Sequence, residues 1–231
     1  MEEKIAREIL EKLQKDYNAI SQSFATKRSK PWREAKFLVE NYLQKEEKVL
    51  DLGCGAGQWF ELFQEKKADY FGIDFSEKLI EIAKKRYPQG KFRVASIFNI
   101  PFPDNFFDKV YAIALFHHIP SKKLRIKALV EIKRVLKKNG ILILSVWDLY
   151  AKKRAKKLIL KFCLLKIFGL SHLDFKDILM DFEGIKNCYF HCFTQSELKS
   201  LVKKAGFDII KEGKFFVGKN SNLYIVAKKL L

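Results

Sequence analysis

Apolar residues recur along this chain in two periods, and the switches between them divide it into elements. Ile5, Ile9, Leu10 and Leu13 fall at helical spacing and predict a helix over residues 2–20. "FATKRSKPWREAKFLVENYL" continues as a basic loop, a Pro31 break and a second amphipathic helix, which completes an N-terminal lead-in and cap over residues 1–45. Residues 46–231 then change rhythm. "KVLDLGCGAG" reads as a short buried strand entering a glycine-rich turn, and "GQWFELFQEKK" as the helix after it. "DYFGIDF" is a second strand, followed by "SEKLIEIAKKRY", a helix opened by the cap Ser76, and by a third strand, "KFRVASI". "FFDKVYAIALF" is a fourth strand, "SKKLRIKALVEIKRVLKKNG" a long helix closed at Asn139 and Gly140, and "ILILSVW" a fifth strand.

Strands that alternate with helices in this way predict parallel pairing through right-handed crossovers, with helices on both faces. Past the fifth strand, "TQSELKSLVKKAGF" predicts a helix, and "DIIKEGKFFVG" and "NLYIVAKK", separated by "KNSN", predict an antiparallel hairpin at the sheet edge. The expectation is an α/β, doubly wound, mostly parallel seven-stranded sheet with an antiparallel C-terminal hairpin strand. Residues 148–188 fit neither part and form a basic insertion, with six basic residues from Lys152 to Lys161 ahead of an apolar run. It is too short and charged to cross a membrane. An arm that touches RNA is the favoured reading, ahead of a membrane-surface helix over 152–170 or a docking face for a partner.

Composition adds one strong fact. Lys and Arg number 45 against 27 Asp and Glu, a formal net charge of +18, which points to a polyanionic partner such as nucleic acid. A solvated Lys-rich surface is the plainer explanation, yet such surfaces carry both signs. Cys54, Cys163, Cys188 and Cys192 show no disulfide spacing, which suits reduced thiols in a cytoplasmic protein. Cys188, His191 and Cys192 lack a fourth ligand in a paired motif, so no metal site is expected. The charged N-terminus has no apolar targeting core and is expected to stay in the mature protein.

The chemistry gathers at "VLDLGCGAG". Gly53, Gly55 and Gly57 alternate after a strand, but position 58 is Gln, so the spacing is wrong for a dinucleotide phosphate cradle. Asp51 is a poor neighbour for a pyrophosphate and a good acceptor for an ammonium. Asp74, ending the second strand, suits a ribose diol. An adenosine with no phosphate and a cationic amino-acid tail would use both acids, and S-adenosylmethionine is that molecule.

At these residues the chain resembles the class I S-adenosylmethionine-dependent methyltransferases, over about residues 30–150, with D-x-G-x-G-x-G from Asp51, the acid Asp74 and "NIPFPDNFFD" before the fourth strand. The resemblance implies S-adenosyl-L-methionine as cofactor. It places Ser96 where relatives hold adenine with an acid, and has Phe75 and Ile97 cover the ring.

A narrower likeness is to the tRNA methyltransferases that esterify 5-carboxymethyluridine at the wobble position, of the type joined to an AlkB homologue. "FATKRSKPW", "IALFHHIPSKKLRIKALVEIKRVLKKNGILILSVW" and "CYFHCFTQSELKSLVKKAGF" carry it, as do the overall length and the insertion. Three positions depart from that pattern: Leu124 beside Arg125 for an Arg pair, Ser29 for an aromatic, and Cys188 for an Arg. The likeness implies tRNA as partner, together with a small zinc-binding activator protein.

Arg28, Lys30 and Arg125 would hold phosphates or orient the substrate carboxylate, and Trp32 and Tyr189 would stack a splayed base beside His191. A carboxylate needs no general base, only alignment and removal of water. His117 and His118 sit at a strand end, where neighbours point to opposite sides; by analogy His117 faces the cofactor and His118 the acceptor, with Arg125 behind them. Two other functions stay open: a methyltransferase for a quinone, lipid or small acid, and a non-catalytic RNA-binding scaffold. The intact Asp51, Asp74 and glycines weigh against the scaffold.

Overall fold

A buried stripe at Ala6, Leu13, Tyr17, Ser21 and Ala25 holds the first helix together well past its expected end. In the computed structural model, which describes residues 1–230, this helix, α1, runs from Glu3 to Lys27 and absorbs the start of the expected basic loop. After Pro31 a single 3-10 turn (Arg33–Ala35) and the four-residue α2 (Phe37–Glu40) replace the second amphipathic helix.

The central elements follow in the expected order. They are β1 (Lys48–Leu52), α3 (Phe60–Glu65), β2 (Asp69–Asp74), α4 (Glu77–Arg86), β3 (Lys91–Val94), β4 (Phe107–Ile113), α5 (Lys122–Val135) and β5 (Leu136–Trp147). Ser76 caps α4 by accepting the amide of Leu79, as its place before the apolar period suggested. The helix α5 stops at Val135, before the expected Asn139–Gly140 end, because Leu136 already pairs with Phe107 and a bulge realigns β5 by Ile141.

The insertion contains α6 (Lys153–Ile167) and a two-stranded sheet, β6 (Asp177–Phe182) and β7 (Ile185–His191). The chain ends with α7 (Gln195–Lys204), β8 (Phe207–Val217) and β9 (Asn220–Lys229). The strand order is β3-β2-β1-β4-β5-β9-β8, parallel from β3 to β5 and antiparallel for β9 and β8. It is the seven-stranded, doubly wound sheet the alternation called for.

The order reverses between β1 and β4, so their C-terminal ends open a crevice, the place where open α/β sheets bind ligands. One apolar cluster, around Leu50, Val110, Leu129 and Leu144, fills one face of the sheet, and another, around Phe60, Phe63, Tyr70 and Tyr111, fills the other. A third joins α1 to Leu149, Ala155, Ile178 and Phe190, so the lead-in and the insertion meet above the crevice.

Candidate active site

The turn after β1 is held by its own backbone. Gly53 and Cys54 both donate their amides to the Ile73 carbonyl, at 2.8 and 3.1 Å, which locks the turn to β2. Gly55 adopts φ +54°, and a Cβ there would meet only Phe24, at 3.8 Å, leaving the backbone bare toward the cavity. Gly57 is required for packing as well, because at φ +79° a Cβ would lie 3.0 Å from the Tyr87 ring.

Asp74 accepts the Gly55 amide at 2.9 Å and the Ser76 amide at 2.8 Å, one on each oxygen. Asp51 accepts the Tyr70 hydroxyl at 3.0 Å. Burial pushes the two carboxyls up, Asp51 to about 7 and Asp74 to about 6, with the amides holding Asp74 back. These two buried acids fit a cationic, hydroxyl-bearing ligand.

They line a cavity of about 390 Å³. Phe75, Ser96, Ile97 and Phe98 line it too, with Ser96 accepting the Phe98 amide at 3.2 Å. At the other end stand Tyr17, Phe24, Arg28, Trp32, Leu115, His118, Trp147 and Phe182, from α1, the loop behind it, the 3-10 turn Phe116–His118, β5 and β6. Helix α1 forms the wall facing Asp74: Gln14 donates to the Phe75 carbonyl at 2.8 Å, and Asn18 accepts the Ser76 hydroxyl at 2.7 Å.

His118 has a defined tautomer. Its Nδ1 lies 3.2 Å from the Tyr189 carbonyl, which can only accept, so Nδ1 carries the proton. Its Nε2 lone pair then takes the Tyr17 hydroxyl at 3.0 Å. Burial draws its pKa down to about 4, and the same effect raises that of Tyr17, so both are neutral near pH 7. Arg28 is half-buried beside Phe24, Trp147 and Phe182; its Nη2 lies 3.8 Å from Glu183, and its Nε is buried without a partner among the described residues.

The structure corrects several expected roles. His117 does not line the cavity: it is fully buried, stacked 4.7 Å from Trp147, and accepts the Trp147 amide at 3.3 Å. The local reason is that Phe116–His118 is a 3-10 turn, so strand alternation does not govern the pair. Arg125 is buried away from the cavity, donating to the Ile119 carbonyl at 3.0 Å and facing Asp177 at 3.6 Å. Tyr189 is likewise buried, its hydroxyl 3.5 Å from Arg125.

His191 lies between Asp177 (2.6 Å) and Glu197 (2.9 Å), so these residues bolt the insertion to α5 and α7 rather than touching a substrate. Lys30 is exposed, outside the cavity wall, and offers only its carbonyl, to Gln58. Cys188 and Cys192 are buried, and among the described residues no His, Cys, Asp and Glu group is placed to hold a metal. Sequence reasoning missed Tyr17, Phe24 and Phe182; only the helical stripe through Tyr17 carried a signal.

A methyltransferase-domain family model matches residues 50–144. A solved S-adenosylmethionine-dependent methyltransferase from Methanosarcina mazei superposes with a TM-score of 0.74 at 26% identity, covering 84% of this chain and 97% of that one. Fold, site and likeness together are those of the class I S-adenosylmethionine-dependent methyltransferases.

Within that class, two relatives match over nearly the whole chain and differ in acceptor. One is the tRNA (carboxymethyluridine(34)-5-O)-methyltransferase of Schizosaccharomyces pombe, 26% identical over 92% of this chain and 94% of its own length. The other is a demethylmenaquinone methyltransferase of Thermotoga maritima, 28% identical over 92% of each. Among longer tRNA methyltransferases the chain spans only 23–31% of the relative's length. Among the described residues no helix is long and apolar enough to cross a membrane.

Proposed function

We propose that this enzyme forms a methyl ester on a carboxylate, the 5-carboxymethyl group of a modified wobble uridine in tRNA. The observation that carries the reading is the pairing of Arg28 with the absence, among the described residues, of a free imidazole or phenolate at that end of the cavity. The His118 lone pair is occupied by Tyr17, and Tyr17 is held neutral by burial. An alcohol, phenol or amide acceptor would need a proton removed; a carboxylate is ionised already and needs only alignment.

S-adenosylmethionine supplies an electrophilic methyl on a sulfonium. In this reading Asp51 receives its ammonium, Asp74 its ribose hydroxyls, and Ser96, Ile97 and Phe75 enclose the adenine. Arg28 steers the acceptor carboxylate from one side, since its cation is shared with Glu183 rather than free for a tight clamp. Trp32 and Trp147 flank the entry as flat faces for a base. His118 and Tyr17 act as a neutral positioning wall. The net charge of +18 favours a polyanionic substrate. The small zinc-binding activator and cytoplasmic setting belong to the same proposal.

The test is transfer of labelled methyl from S-adenosylmethionine to bulk tRNA from cells lacking the ester, with a demethylated quinone extract in parallel. Label in tRNA that mild alkali releases, as an ester must, is the expected result. Label in the quinone fraction alone would overturn the carboxylate reading.

A further inference from the structure

Eleven large apolar side chains are exposed among the described residues, and six of them fall between positions 160 and 175. Leu160, Leu164, Ile167, Phe168, Leu170 and Phe175 are each between 46% and 74% accessible, on the last two turns of α6 and the loop beyond. A soluble surface rarely gathers such side chains so densely without covering them.

The exposed face of α6 changes along its axis. Its first two turns present Lys153, Arg154, Lys156 and Lys157, and its last two turns present Leu160, Leu164, Ile167 and Phe168, with Lys161 exposed between them. Ala155, Leu158, Ile159 and Phe162 occupy the opposite face and pack against β6 and the 3-10 turn Leu149–Ala151, within the apolar cluster that also takes in α1, so the helix is anchored and its outer face is free. No acidic residue occurs between Asp148 and Asp174. None of the basic residues of α6 lies within ion-pair distance of a carboxylate among the described residues.

We infer that the outer face of α6 and the loop to Phe175 form a docking surface for an anionic lipid bilayer. The apolar tip enters the boundary between headgroups and acyl chains, and the lysines at the other end meet lipid phosphates, their stems lying along the apolar surface. This chemistry separates the occupant from two others. Nucleic acid satisfies lysines but leaves six aliphatic and aromatic side chains in water. A second copy of this chain would bring its own unpaired lysines against these and repel. Lys152, directly before α6, places its Nζ 5.5 Å from the Trp147 ring, so a bilayer on this face lies beside the acceptor end of the cavity.

The test is sedimentation of the full chain with phosphatidylcholine vesicles and with phosphatidylcholine–phosphatidylglycerol vesicles, each with and without tRNA. Binding is expected to the anionic vesicles only. Lys157→Glu with Lys161→Glu should lower it by about twentyfold or more, and Leu164→Asp with Phe168→Asp by about tenfold or more. All four side chains are exposed, so the S-adenosylmethionine affinity of each double variant serves as the folding control and should not change.

The inference is overturned by no vesicle binding at low salt; by binding that the Leu164→Asp/Phe168→Asp variant retains in full, which reduces it to general cationic attraction; or by vesicle binding absent while the lysine variant loses tRNA. A concentration-dependent dimer that Phe168→Asp disperses, without vesicle binding, assigns the face to self-association and overturns it too.

Discussion

The two ends of the cavity are built by different means. The cofactor end is made of strand termini and backbone: three glycines, two carboxylates held by amides and a hydroxyl, all within the run from Asp51 to Ser76. The acceptor end is made of side chains from segments far apart in the chain: Tyr17 and Arg28, Leu115 and His118, Trp147, and Phe182. A backbone cradle fits one ligand because its amides cannot be exchanged by mutation. A wall of side chains can be changed one residue at a time, which is how one fold serves acceptors as unlike as a uridine and a quinone.

The largest expected effect lies at the rigid end. Asp74→Ala removes the acceptor for two amides and, in the proposed reading, for the ribose, and should weaken S-adenosylmethionine binding by about a hundredfold. Calorimetry reads it, and the melting temperature shows whether the turn survives. A loss under threefold would mean that Asp74 serves the turn alone.

At the acceptor end the comparison predicts a split. Arg28→Met should raise KM for the acceptor by roughly ten- to a hundredfold while S-adenosylmethionine affinity stays within a factor of two or so. Equal losses for both ligands would mean that the two halves are not independent.

Proton linkage gives a third, smaller contrast. Asp51 is raised to about 7, so the folded protein holds a proton that the unfolded chain releases near pH 3.8. Across that window the unfolded state binds fewer protons, so this group's contribution to stability falls as pH rises from about 4 to about 7. His118, lowered to about 4 from 6.5, acts oppositely: the unfolded chain takes up the proton first, and stability rises with pH between those values. Asp51→Asn should therefore steepen the rise of melting temperature from pH 4 to 7, and His118→Gln should flatten it. If Asp51 receives the cofactor ammonium as proposed, it must be ionised to do so, and affinity in the wild type should climb from pH 6 to 8, with a proton released on binding at pH 6.

The smallest effect should come from Tyr17→Phe. It frees the His118 lone pair at a cost of about 1 kcal/mol. The acceptor KM should rise about fivefold, with no new base-dependent limb in the kcat profile, because a carboxylate acceptor has no proton to lose; such a limb near pH 4–6 would count against the carboxylate reading.

Much of this was legible in the chain, and unevenly so. Asp51, Gly53, Gly55, Gly57 and Asp74 could be read because each answers to its immediate neighbours: a turn that needs positive φ, and a strand end that exposes a carboxylate. The β6–β7 hairpin could not be, since its two-residue turn uses Glu183 at φ +51° and Gly184 at φ +91°, and Glu–Gly is a weaker turn signal than Asn–Gly.

The sequence by itself determined the sheet, its order of elements and the cofactor turn, because hydrophobic period and glycine placement are local properties of the chain. Only the tertiary structure decided which cations and rings line the cavity. Arg28 and Arg125, Trp32 and Tyr189, His118 and His117 are alike as residue types; one of each pair lines the cavity and the other is buried in packing. That choice depends on how α1 and the insertion close over the crevice, a matter of long-range contact that no local pattern encodes.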